Sequence, residues 1–221
     1  MITNPGAIRV LCFGDSNTYG LRANRADREA GQYRWPSDVR WTGRLQALLG
    51  PDYEIIEEGR SGRTVEMPDP LVAGADGRAY FAPCLNTHNP LDVVLIMLGT
   101  NDVKWHFGRS TEDIVESIGR LVDDVETHGL APDGRTPAVL LVAPVPVERR
   151  SATGEFDDES VRKSHELGPA LRKLAEARGA GFADAGTVGA VGEDGIHLSE
   201  ETHERLAALL AEALGSLDAD A

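Results

Sequence analysis

Cysteine and lysine are both scarce in this chain of 221 residues. The only cysteines, Cys12 and Cys84, lie far apart in apolar or aromatic surroundings. That spacing fits neither a disulfide framework nor a C-x-x-C metal or redox motif, so two buried thiols are expected. Of 22 cationic residues only Lys104, Lys163 and Lys173 are lysines, against 36 carboxylates, which leaves a formal net charge of −14. A surface this acidic repels phosphate backbones and anionic headgroups, so neither nucleic acid nor a membrane surface is an expected partner. Long apolar runs are missing as well. Met1 to Gly6 show no basic stretch leading into an apolar one, and Val10 to Phe13 is far too short for a signal or a span. A soluble, cytoplasmic protein is expected.

What is present suits an ordinary globular chain. Apolar residues make up 41% and charged ones 26%, while 24 glycines and 12 prolines supply turns without the composition of a collagen or a disordered chain. Strand-length apolar runs recur at Arg9–Phe13, Tyr53–Ile56, Val93–Leu98, Ala138–Ala143 and Gly181–Ala185. The middle three are rich in Val, Ile and Leu without clean alternation, which suits strands covered on both faces. Helices are expected over Asp38–Leu49, Thr111–His128 and Asp158–Arg178, the last kinked or split at Gly168-Pro169. A final helix follows Ser199, with Leu206, Leu209, Leu210, Ala213, Leu214 and Leu217 on one stripe. Strands alternating with helices over the whole length predict βαβ units and a doubly wound, three-layer α/β/α domain spanning residues 1–221. Arg22–Pro36 and the proline-rich Glu66–Pro90 are read as long loops, which on a rigid sheet usually line sites.

In such folds ligands bind beyond the carboxyl ends of the strands, so the residues after each strand are the informative ones. After the first comes Gly14-Asp15-Ser16-Asn17-Thr18, after the second Glu57-Glu58-Gly59-Arg60-Ser61-Gly62-Arg63-Thr64, after the third Gly99-Thr100-Asn101-Asp102, and after the fifth Asp194-Gly195-Ile196-His197. Ser16, at a strand-to-helix turn, is placed to attack a carbonyl, although a lone serine there reads as readily as a helix cap. Serine needs a base, and imidazole, with an ordinary pKa near 6.5, supplies one close to neutrality. Of six histidines only His197 has a carboxylate, Asp194, at short spacing in a turn before a helix. His88, His106, His128, His165 and His203 read as surface or packing residues. The tetrahedral oxyanion of acyl transfer needs donors, for which the Asn101 side chain and the Gly62 and Ser16 amides are candidates. Tyr19, Trp35, Trp105 and Phe107 read equally as pocket walls or as packing.

Together these four blocks resemble those of the SGNH/GDSL hydrolases, in the same order, from about Ile8 to Leu214. The resemblance implies a flavodoxin-like five-stranded parallel sheet of order 2-1-3-4-5. It further implies Ser16 as nucleophile, Asp194 and His197 completing a triad, and Gly62 and Asn101 with the Ser16 amide as oxyanion hole. Asp38-Val39-Arg40-Trp41-Thr42-Gly43, Glu57-Glu58-Gly59 and Cys84-Leu85-Asn86-Thr87-His88 are similar to the bacterial arylesterase and acyltransferase (perhydrolase) branch. That branch acts on short-chain aryl and alkyl esters, can pass the acyl group to alcohols or peroxide, and includes homo-oligomers. Leu21 departs from the aromatic wall residue of its acyl-transferring members, and the stretch Val145–Asp158 is polar and short.

Neither a cofactor nor a metal is expected. There is no H-E-x-x-H, Asp194, His197 and His203 lack further partners at zinc spacing, and Gly186, Gly189 and Gly192 are misspaced for a dinucleotide fingerprint. The rival reading is a flavodoxin-like flavin-binding module, in which Ser16-Asn17-Thr18-Tyr19-Gly20 would cradle a phosphate.

Overall fold

The structure is a computed structural model that describes residues 4–148 and 154–219. In chain order the elements are β1 (Ile8–Gly14), α1 (Ser16–Tyr19), α2 (Arg25–Glu29), α3 (Trp41–Leu49), β2 (Tyr53–Gly59), α4 (Gly77–His88), β3 (Val93–Met97), α5 (Thr111–His128), β4 (Ala138–Ala143), α6 (Asp158–Arg178), β5 (Gly181–Asp184) and α7 (Glu200–Ala219). All five strands are parallel and lie in the order β2-β1-β3-β4-β5, as the resemblance implies. The order reverses at β1, so a crevice opens between the ends of β1 and β3, where open α/β sheets place ligands.

Burial on both faces explains the uninterrupted apolar strands. Leu11, Phe13, Val94, Ile96 and Leu141 face a core closed by α4, α5 and α6, while Val10, Cys12, Leu95, Leu140 and Val142 face one closed by α3 and α7. Phe13 meets Phe81 of α4 with ring centroids 4.6 Å apart, and burying one such ring contributes about 1.5–3 kcal/mol. Both cysteines are free and buried, Cys12 under one layer and Cys84 under the other. No helix among the described residues is long and apolar enough to cross a membrane.

Four expectations need correction. Arg22–Pro36 is not all loop, because Arg25–Glu29 forms a short helix capped by Asn24, whose side chain accepts from the Asp27 amide. Glu66–Pro90 is not all loop, because Gly77–His88 is helical, with Asp76 accepting from the Ala79 amide at its start. Pro83 removes one backbone donor, yet Phe81, Cys84 and Leu85 on that helix are fully buried, and their burial outweighs the lost bond. Similarly, α6 runs unbroken through Gly168-Pro169. Leu167 and Leu171 hold it in the core on either side, and Gly168 sits so close to β5 that a Cβ would stand 3.0 Å from the Asp184 carboxylate. Lastly, β2 continues to Gly59, because Glu57 and Glu58 stay in register with Cys12 and Phe13 while Arg40, Arg34 and Thr42 satisfy the Glu57 carboxylate. Within the polar stretch Val145–Asp158, residues 149–153 lie outside the described residues.

Candidate active site

The end of β1 turns sharply into α1, and this turn presents Ser16. Asp15 caps it by accepting from the Asn17 amide at 2.8 Å, and Gly20 closes it in the left-handed region. Ser16 is 4% exposed, so it sits within the fold at the carboxyl end of β1 and not on open surface. Next to it, the turn Asp194–His197 folds around its own carboxylate. Asp194 Oδ1 accepts from the Ile196 and His197 amides at 3.0 and 2.9 Å, and Oδ2 lies 2.7 Å from His197 Nδ1. His197 Nε2 is 3.0 Å from Ser16 Oγ. A carboxylate can only accept from Nδ1, so the neutral ring carries its proton there and leaves the Nε2 lone pair facing the serine.

Charge holds this turn. Burial alone would raise the Asp194 carboxyl, but the bonds and charge of His197, its backbone N–H and the Arg28 guanidinium hold it down to about 2. Arg28 Nη1 reaches the same Oδ2 at 2.9 Å. Asn17 fastens the turn to α1: its Oδ1 accepts from the Leu198 amide at 3.0 Å and its Nδ2 donates to the Ile196 carbonyl at 3.4 Å. Sequence reasoning assigned Arg28 and Asn17 no part in holding this turn. Both act across more than 160 residues, and only the adjacency of Asn17 to Ser16 gave any signal.

The other side of the crevice lies beyond β2 and β3. Asn101 Nδ2 donates to the Arg63 carbonyl at 3.0 Å, which uses one of its two hydrogens and fixes the direction of the other. Arg63 is itself buried, stacked 4.1 Å over Phe13, and donates to the carbonyls of Gly14 and Glu58, tying the ends of β1 and β2 together. Gly62, just before it, has φ +76°, and a Cβ would stand 3.0 Å from Val72 Cγ1. At Gly59 a Cβ would stand 2.2 Å from the Tyr19 nitrogen, so glycine there lets β2 pass close under α1. Asp102 anchors the next turn by accepting from the Val65 amide through both oxygens, and burial pushes its carboxyl up to about 7. Hydrogen bonds therefore join Ser16, His197 and Asp194 directly. Gly62 and Asn101 join them by position, at the ends of neighbouring strands, and through Arg63.

The remaining histidines and aromatics mostly have packing partners. His203 is fully buried, with Nδ1 accepting from the Trp41 amide, His88 pairs with Glu58, and His106 lies between Trp105 and Phe107. Arg34 and Arg22 stack over Tyr19 and Trp35 at 4.1 Å each. Leu21 bridges to Arg34 at the base of the segment 22–33.

Among the described residues, two groups bring metal-ligating atoms within 4.8 Å of one another: Glu58, Cys84 and His88, and Asp69, His106 and Glu155. Each already contains a cation's charge. Arg63 stands beside the first, whose thiol burial pushes up to about 12, and the Lys104 ammonium sits 2.8 Å from Glu155 and 3.9 Å from Asp69 in the second. The turn after β1 does not suit a flavin phosphate. Its Asn17, Tyr19, Gly20 and Leu21 amides are all bonded within the turn, and the buried Asp15 carboxyl lies beneath it.

Residues 12–205 match the GDSL-like lipase/acylhydrolase family. Among solved structures, the chain is similar to a native M. smegmatis aryl esterase at 40% identity, with 96% of this chain and 100% of that chain covered and a TM-score of 0.88. A carbohydrate acetylesterase from Sinorhizobium meliloti is likewise 40% identical, with 95% and 99% covered and a TM-score of 0.88. A lipase/acylhydrolase from Enterococcus faecalis, 18% identical with a TM-score of 0.68 over 95% and 96% of the two chains, shares the fold. No match is found among curated proteins. On the family match, and on two esterase relatives that align over nearly their whole length, the chain belongs to the GDSL-like lipase/acylhydrolase family and is a carboxylic ester hydrolase.

Proposed function

We propose that the chain is a serine esterase that works through an acyl-enzyme on Ser16. The observation that carries this reading is the relay of two short bonds, 2.7 Å from Asp194 to His197 Nδ1 and 3.0 Å from His197 Nε2 to Ser16. His197 takes the Ser16 proton as Oγ attacks the ester carbonyl, and Asp194 stabilises the imidazolium that forms. The free hydrogen of Asn101 Nδ2 and the amides of Gly62 and Ser16 receive the oxyanion. Collapse expels the alcohol or phenol with the proton from His197, and the acyl group then leaves to water by the same steps in reverse order of roles.

Substrate class follows from burial and from the relatives' names. Ser16 is almost wholly buried, which suits a short acyl group, and the alcohol half is an aryl or a sugar hydroxyl, as in the aryl esterase and the carbohydrate acetylesterase. Acyl-chain profiling with and without a competing alcohol decides whether water is the sole acceptor. For the mechanism itself, the test is Ser16→Ala with p-nitrophenyl acetate. A folded variant is expected to lose nearly all turnover and its labelling by a fluorophosphonate, and parental turnover in that variant would refute the reading.

A further inference from the structure

The segment between Leu21 and Arg34 leaves the crevice, forms the short α2, and returns to a bridge between those two residues, with the Arg22 amide donating to the Tyr33 carbonyl. This excursion docks on the catalytic turn at successive points. Ala23 sits against Gly192, the Arg25 amide donates to Glu193 Oε1 at 3.2 Å, and Arg28 Nη1 donates to Asp194 Oδ2 at 2.9 Å and to the Arg22 carbonyl. The Arg28 side chain is only 23% exposed, and that of Asp194 is 6% exposed, so solvent screens their contact weakly. The oxygen that Arg28 holds is also the one His197 leans on, whereas Oδ1 is engaged by two backbone amides.

Resting on the triad reading above, we propose that Arg28 is a positioning residue for the base: it fixes the Asp194 carboxylate and weakens that carboxylate's pull on the His197 proton. A cation one hydrogen bond away from the imidazolium's counter-ion disfavours the charged ring, so Arg28 keeps His197 neutral, and hence basic, at lower pH. The other groups facing His197 are few. Asp15 faces it from the start of α1 and favours the charged ring, while His203, on α7, is held neutral by burial. Beside the turn stands Glu193, and on the excursion itself Arg22 and Asp27 pair with each other at 2.9 Å. Of these groups, only Arg28 and the Asp194–His197 pair itself share a charge-bearing oxygen.

The experiment follows the ring carbon proton of His197 by NMR across pH, assigned by its loss in His197→Gln, in the full-length chain. Arg28→Gln keeps a donor for Asp194 and for the Arg22 carbonyl but removes the charge, and its titration midpoint is expected to rise by about one pH unit. Arg28→Lys, which keeps the charge, is expected to stay near the parent, and Glu193→Gln, which removes a negative charge beside the turn but keeps an acceptor for the Arg25 amide, is expected not to raise the midpoint. A midpoint in Arg28→Gln that stays within about 0.2 unit of the parent or falls, or one that rises equally in Glu193→Gln, overturns the proposal. The titration needs no turnover, so the two readings fail separately. If the midpoint rises while the acid limb of kcat/KM stays put, Arg28 keeps its role and His197 loses its place as the base.

Discussion

On the Asp194–His197 side of Ser16 the geometry hangs on charge, and on the Gly62–Asn101 side it hangs on backbone. The first side is a chain of ionisable groups, Arg28, Asp194 and His197, joined by bonds of 2.7 to 2.9 Å and reached from a polar excursion. On the second the donors are set by the main chain: Asn101 is oriented by a carbonyl, and Gly62 by its own dihedral angle. The difference suits the tasks proposed above for the two sides. A base must change its protonation during the cycle, so its surroundings are built from groups whose charge sets how readily it does so. Oxyanion donors must not move when charge appears, and a donor fixed by neutral backbone bonds needs no reorganisation at that moment. Charge should therefore govern pH dependence on one side, and geometry should govern rate at all pH on the other.

The largest break in that comparison is expected from Asp194→Asn. The amide nitrogen can turn towards Nδ1 and force the other tautomer, which points an N–H at Ser16, and kcat should fall by about 10⁴-fold near neutrality. Stopped-flow or steady-state kinetics with an activated ester would measure this, and a loss under tenfold would mean the carboxylate does not set the tautomer. Asn101→Ala comes next, with kcat lower by about a hundredfold, KM changed far less, and the pH profile unmoved, since no titrating group is touched. A loss confined to KM would make Asn101 a substrate-binding residue only.

Gly62→Ala probes the same side through the backbone. A left-handed conformation costs a residue with a Cβ about 1–2 kcal/mol, and the new methyl meets Val72 at 3.0 Å, so kcat/KM should drop about tenfold. Adding Val72→Ala removes the contact but not the dihedral cost, and should restore only part. Full recovery in the double variant would show that crowding, not backbone angle, constrains the donor.

How much of this could be read from the chain depends on the range of the interactions. The strands are visible because Val93–Met97 and Leu140–Val142 are buried on both faces and so read as plain apolar runs. The site blocks are visible because turn chemistry is local: Asp15 caps the turn of Ser16, and Asp194 folds its own turn around His197. Where local and distant forces disagree, reading fails. Pro83 argues against a helix that Phe81 and Leu85 pay for by burial against β1 and α5, and Glu57 looks like loop until Arg40 and Arg34 arrive to neutralise it. Arg28 was illegible for the same reason: it is one arginine in a polar segment, and its meaning lies 166 residues away.

His203 lies outside both sides, and its effect is read in stability and not in rate. Burial holds its ring down to about 3, with Arg44, Arg40 and His197 adding to the shift, whereas in the unfolded chain it takes up a proton near 6.5. Above about pH 6.5 the ring is neutral in both states and contributes nothing to the pH dependence. As pH falls below that, the unfolded chain binds a proton the folded one refuses, so stability falls with pH, by about 2 kcal/mol between pH 6.5 and 5. Asp102 acts in the opposite direction: its carboxyl, pushed up to about 7, is protonated in the folded state while the unfolded one stays ionised down to about 4, so it adds stability over the same window. The parent's acid slope mixes the two, and subtracting a variant isolates one. In His203→Asn the amide oxygen can still accept from the Trp41 amide, and no ring titrates. Denaturant melts at pH 7, 6 and 5 should show the variant gaining on the parent as pH falls, and parallel curves would mean that this buried ring does not stay neutral.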